Sequence, residues 1–368
     1  MSISKLAFMI MTTILMILPF ELKAQDSLNI ECLSGAYGYW DWGGAGRIEV
    51  SNGYAYVRNH RTGVKVLDVS NPTHPYQVGE YNLPDFTEDI VIFGDVLYVA
   101  ARWNGLYVLD ISDPRHPRLI DNLDLWGYVV DLAVRDSLLF LADRGLRIMD
   151  ISDPANPQEV SFCDSSGNAV GVTVSGNYAY LANGSHGVEV IDVTDPYAPV
   201  VRGSCDTPGL SFGVAADAGY VYEADNTSGF YVIDATSPGS PRIVGHCGTN
   251  QALSSTLIGQ NVYVADGSEG VAVIDITNRQ SPRIVKRFST QVSAAGLCID
   301  STLCYVAGGS EGVRIINIAN LASAREIGFY EPPSRFTHFA KSNHLLLICD
   351  HYCPIDYLGL SCNLFYCL

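Results

Sequence analysis

Six aspartates recur at the ends of apolar strands: Asp68, Asp110, Asp150, Asp192, Asp234 and Asp275. Carboxylates invite an acid–base reading. An acid that returns in nearly every unit of a repeat is better explained as a turn residue, accepting backbone N–H bonds from the Ser/Thr-Asp-Pro segment that follows. Aligning the units singles out a second set, one residue at the start of each unit's first strand: Arg47, Asp89, Asp131, Gly171, Gly213, Ser254, Gly296 and His338. Arg47, Asp89, Asp131 and His338 would form a polar arc facing small residues. That chemistry suits a cation or a polar ligand, or an internal Arg47–carboxylate network around water. A third set lies in segments that vary while the strands repeat: His60, Arg61, Arg102, Trp103, Trp126, Tyr128 and His186. Variable loops on a repeating scaffold are where binding tends to sit.

No residue is assigned a catalytic role. Gly308–Gly312 fits G-x-S-x-G, but a nucleophile elbow needs a strand–turn–helix setting and this segment reads as a hairpin turn. No phosphate loop, H-E-x-x-H, EF-hand loop or dinucleotide fingerprint is present. Of the ten cysteines, Cys163, Cys205 and Cys247 occupy corresponding outer-strand places, too far apart to bridge. Cys298 and Cys304 flank one turn and could form a cross-strand disulfide. Cys349, Cys353, Cys362 and Cys367 could pair in an oxidising compartment; zinc there lacks a tight C-x-x-C pair. No cofactor is expected beyond a structural cation.

These residues are carried by a phrase that repeats from Gly63 (GVKVLDVSNP), Gly105, Gly145, Gly187, Gly229, Gly270 and Gly312, at steps of 42, 40, 42, 42, 41 and 42 residues. So regular a period marks a repeat architecture. Within one unit, Val172–Val174, Tyr178–Ala182, Gly187–Asp192 and Val200–Ser204 read as four short strands separated by turn residues. Four antiparallel strands in about 42 residues is the size of a β-propeller blade. Strands such as VEVID lack a polar face because neighbouring blades cover both sides.

The V-x-V-I-D strands, the preceding Y-V-A-D/N-G strand and turn, and the following S/T-D/N-P-x-x-P resemble the LVIVD-repeat family of secreted bacterial β-propellers, over roughly Leu28–Asp350. The resemblance implies a propeller outside the cytoplasm and little about activity. The expected fold is all-β, with eight blades favoured: seven complete repeats plus a mixed blade built from Leu28–Cys32, Phe336–Ala340 and Leu345–Cys349. Seven blades is the alternative.

The domain reading is a signal peptide over residues 1–24, a propeller over 25–350 and an atypical Cys-containing tail over 351–368. Lys5, the apolar run Leu6–Phe20 and Ala24 support the first of these. No later segment is long and apolar enough to span a bilayer. The net charge of -17 argues against nucleic acid as a partner. The functional expectation is a monomeric, non-enzymatic scaffold at the cell exterior or in the periplasm, binding an extracellular protein or carbohydrate. A propeller hydrolase or lyase with its site at the channel mouth is the alternative, and a structural envelope or matrix protein the third reading.

Overall fold

The computed structural model describes residues 47–59, 63–83, 86–125, 127–308, 311–331, 336–342 and 345–350. The chain divides into two units, Gly38–Pro332, and Met1–Tyr37 with Pro333–Leu368. In the second, Phe336–Ser342 and Leu345–Asp350 pair as an antiparallel hairpin.

The first unit contains seven four-stranded antiparallel sheets, each built from one contiguous stretch: residues 48–81, 89–123, 129–164, 171–205, 213–247, 254–288 and 296–330, here blades 1 to 7. The first strand of each blade contacts the first strand of the next, and Gly296–Asp300 of blade 7 contacts Ile48–Ser51 of blade 1. The ring therefore closes with seven blades, and the favoured eight-blade reading is corrected. The proposed mixed blade has no place in this ring, because blade 7 already packs on blade 1; among the described residues Phe336–Ser342 and Leu345–Asp350 pair with each other. Leu28–Cys32 lies outside the described residues.

The seams follow from the strand pattern. In every blade the third residue of the second strand is a buried aromatic: Tyr56, Tyr98, Phe140, Tyr180, Tyr222, Tyr263 and Tyr305. Each packs on the following blade, Tyr305 on Ile48, Val57 and Leu67 of blade 1. Burial of such a ring removes its large apolar surface from water. A β-bulge interrupts the fourth strand of all seven blades, adding local twist. Beside it, Gly79, Gly203, Gly245 and Gly328 receive the Pro-containing turn of the next blade, and Gly328 receives Pro72 and Thr73 of blade 1. A Cβ at Gly328 would overlap the Pro72 carbonyl.

The recurring aspartates are turn residues. Each accepts from the backbone N–H two residues on: Ser70 to Asp68 at 3.0 Å, Ser112 to Asp110 at 2.9 Å, Ser152 to Asp150 at 2.8 Å, Thr194 to Asp192 at 2.9 Å, Thr236 to Asp234 at 3.1 Å and Thr277 to Asp275 at 2.9 Å. Cys298 and Cys304 are both free thiols. Their strands pair Cys298 with Tyr305 and Cys304 with Ile299, so the two cysteines belong to opposite faces of the sheet, one against blade 1 and one against blade 6. The cross-strand disulfide considered from sequence therefore does not form.

Candidate functional site

The turns between second and third strands share a face with the links that enter each blade. Bridges Arg102↔Val129, Gly184↔Ser211, Asn226↔Ala252 and Gly267↔Ala294 join one blade's turn to the next blade's link. First strands begin at this same face, so the channel mouth opens on it.

At that mouth the structure brings Arg47, Asp89 and Asp131 together. Arg47 Nε stands 2.8 Å from Asp89 Oδ1, and its terminal nitrogen 3.6 Å from Asp131 Oδ1. The other carboxylate oxygens cross seams: Asp89 Oδ2 accepts from Leu132 N at 2.8 Å and Asp131 Oδ2 from Val172 N at 2.6 Å. Arg47 is held charged, above its ordinary range, mainly by Asp89. Burial pushes the Asp89 carboxyl upward against the pull of Arg47, and does the same to Glu49. The arc is thus an ion-paired staple across blades 1 to 4. His338 lies in the Phe336–Ser342 hairpin strand of the other unit.

Further out, at the seam of blades 2 and 3, lies an aromatic–cationic cluster. Trp103 is 61% exposed. Its ring meets Tyr128 edge-on, with centroids 4.8 Å apart, and the Arg144 guanidinium lies 5.6 Å from the Trp103 centroid. Arg102 sits 5.6 Å from the Tyr128 ring and 5.0 Å from Phe86, and is ion-paired to Glu88. Glu88 also meets Arg58 at 3.4 Å. The backbone is fitted to this display: Arg102 and Arg144 both take positive φ, 49° and 59°. Asp143 accepts from Tyr128 N at 2.5 Å and pairs with Arg147 at 2.8 Å, fixing the link under the rings.

Of the loop residues expected from sequence, Arg102, Trp103 and Tyr128 meet in this cluster. His186 is elsewhere, on the rim of a cleft of about 540 Å³ between blades 4 and 5, with Gly167, Asn168, Ser211 and Phe212. His60, Arg61 and Trp126 lie outside the described residues. Phe86 and Arg144 were not among the expected contacts. Arg144 stands in the turn between the second and third strands of blade 3, one of the turns that vary along the repeat, and Phe86 lies in the link that enters blade 2.

A buried acid pair beside that cleft also escaped notice. In six blades the residue after the seam aromatic is apolar and fully buried: Val57, Val99, Leu141, Leu181, Val264 and Val306. Blade 5 has Glu223 there, also 0% exposed. Thr207 Oγ1 lies 2.9 Å from Glu223 Oε1 and 3.3 Å from Asp225 Oδ1. Burial, with the Asp225 charge beside it, pushes Glu223 up to about 7, while the Ser211 and Thr207 hydroxyls oppose the rise. Lining up the repeats exposes this substitution by inspection.

Among the described residues no three His, Cys, Asp or Glu side chains group as metal ligands, and no helix is long and apolar enough to cross a membrane.

No curated protein matches the chain. Solved structures that resemble it include a protein of unknown function from Desulfotomaculum acetoxidans (14% identity, 77% of this chain and 94% of that one, TM-score 0.62). A chain of the Mitotic Checkpoint Complex gives 12% identity over 83% and 99%, with a TM-score of 0.63. The computationally designed protein Ika8 gives 12% identity over 83% and 92%, with a TM-score of 0.59. At such identities the likeness concerns the fold alone. The LVIVD repeat model matches residues 42–83, 86–124, 126–165, 166–207, 208–249 and 253–290, which are blades 1 to 6 with their links. The chain therefore belongs to the LVIVD-repeat family.

Proposed function

We propose that this propeller is an exported, non-enzymatic recognition module whose loop face binds carbohydrate through the cluster at blades 2 and 3. The observation that carries the reading is Trp103, a large ring held open to solvent beside Tyr128, Arg102 and Arg144. A ring fixed in place at an interface supplies contact area with little loss of conformational freedom. The flanking guanidinium groups carry donors suited to sugar hydroxyls and carboxylates. On a chain of net charge -17, this local cationic character favours an acidic saccharide over a neutral one. The apolar run Leu6–Phe20 and the family resemblance support export.

The test is a saccharide array probed with the purified protein, followed by titration of any hit. Trp103→Ala should weaken binding by roughly 30-fold, about 2 kcal/mol, as expected for a central aromatic contact. A hit whose affinity is unchanged in Trp103→Ala places recognition elsewhere and overturns the reading. Binding only to a protein captured from the native exterior replaces carbohydrate with a protein partner.

A further inference from the structure

The buried acid pair of blade 5 lacks the arginine that its counterparts in blades 3 and 6 possess. In blade 3 the corresponding turn acid, Asp143, is paired with Arg147 at 2.8 Å. In blade 6 it is Asp266, paired with Arg287 at 2.5 Å. In all three blades this acid also accepts a backbone N–H from the entering link: Tyr128 N to Asp143, Gly209 N to Asp225 at 2.8 Å, and Asn250 N to Asp266 at 2.7 Å. Blade 5 keeps the latch and changes the charges. Strand register places Tyr231 where blade 3 has Arg147, and the exposed His246 where blade 6 has Arg287. No arginine or lysine pairs with Asp225 or Glu223 among the described residues.

Two further atoms at this place lack partners. Glu223 Oε2 and Ser211 Oγ are buried without a hydrogen bond, although the Ser211 hydroxyl is near enough to favour the ionised Glu223. Thr207 faces both carboxylates and has one proton to donate. Two carboxylates and two hydroxyls, all on buried residues, thus meet at one place. An uncompensated buried charge is costly, and pairing or coordinating a cation relieves it. All the available donors are oxygens, the set that hard divalent cations prefer. Ser211 also lines the cleft between blades 4 and 5, which gives the place a route to solvent.

We infer that Glu223, Asp225, Thr207 and Ser211 form a binding site for a divalent cation of the calcium class, standing where blades 3 and 6 use an arginine. The ion locks the link between blades 4 and 5 against the second strand of blade 5. Sister blades need no such ion, because Val or Leu fills the position of Glu223. The cleft rim carrying His186, Ser211 and Phe212 is ordered by it.

The test uses chelator-stripped protein at about pH 8, melted across a calcium series, with magnesium as comparator and affinity measured by isothermal titration. Expected are one calcium per chain, an affinity in the ~0.1–1 mM range of extracellular modules, and a melting point that rises with calcium. Glu223→Gln should abolish the rise. Glu223→Val, the sister-blade residue, should melt higher than stripped wild type and ignore calcium. Should Glu223→Gln fail to fold, Ser211→Ala is expected to fold and to bind calcium severalfold more weakly. A wild-type melt that calcium leaves unmoved overturns the proposal, as does an equal calcium response in Glu223→Gln. Because Trp103 stands at the seam of blades 2 and 3, away from blade 5, the saccharide reading and the calcium proposal fail independently.

Discussion

At the scale of the residue, the repeated aspartates do mechanical work that can be titrated. Asp192 accepts from the Thr194 hydroxyl at 2.6 Å and from its N–H, and meets Arg202 at 2.8 Å. These contacts hold its carboxyl down at about 2. An unfolded aspartate titrates near 3.9. The folded group is the stronger acid, so its contribution is fully present above about pH 4 and is lost as pH falls through 2. The side chain is near the surface, where solvent screens the pairs, so about 1 kcal/mol is expected rather than the full linkage. Asp192→Asn should therefore lower stability at pH 7 by that amount and leave it nearly unchanged at about pH 2, read by urea melts at both. The turn role of these aspartates was legible because a residue repeated in six of seven blades calls for an explanation shared by the repeat. Glu223 was not, because its meaning lies in departing from the repeat, and only the structure shows that its position is a seam buried on all sides.

At the scale of the element, four strands per blade and the two faces of the propeller could be read from turn chemistry and spacing. Ring closure could not. Local sequence patterns define a blade but do not state the angle between blades. Leftover strand-like segments at both termini therefore suggested a place for an eighth. The signal that would have decided it is Gly328, which corresponds to Gly79, Gly203 and Gly245 and likewise needs a following Pro turn to receive; blade 1 supplies it through Pro72. This predicts that Gly328→Ala drives a methyl group into the Pro72 carbonyl and costs about 1–3 kcal/mol. Gly248→Ala is the matched control, since its added Cβ meets nothing within 4 Å and its φ is ordinary. It should stay within about 0.5 kcal/mol of wild type. Paired denaturant melts of the two variants check both halves. The candidate site was partly legible at this scale too. The variable turn carrying Arg102 and Trp103 was recognisable, whereas its approach to Tyr128 and Arg144 depends on which link pairs with which turn.

At the scale of the whole molecule, seven similar seams make a ring in which no blade is terminal. An open stack would leave two apolar faces exposed and would need capping units. Here the last seam is built like the others: Tyr305 and Ile315 of blade 7 pack with Val57 and Leu67 of blade 1. Tyr330 Oη adds a hydrogen bond to Gln77 Oε1 at 3.2 Å, across 253 residues of sequence. The family match ends at residue 290, yet blade 7 has the same strand order, bulge and seam aromatic as its neighbours. What must be kept for closure is the buried surface rather than the signature phrase, and Asn317 accordingly replaces the repeated aspartate while still accepting from Ala319 N at 3.0 Å. If closure is equivalent to any internal seam, truncating equivalent aromatics should cost the same on either side of the ring. Tyr305→Ala at the 7–1 seam and Tyr180→Ala at the 4–5 seam each remove a ring that is almost fully buried. Each should destabilise by about 3–5 kcal/mol, and the two values should agree within about 1 kcal/mol in denaturant melts. A markedly milder Tyr305→Ala would mean that the closing seam is the weak one, the place where the ring opens first. Equal costs would mean that closure, which joins segments far apart in sequence, is held as firmly as contacts between consecutive repeats.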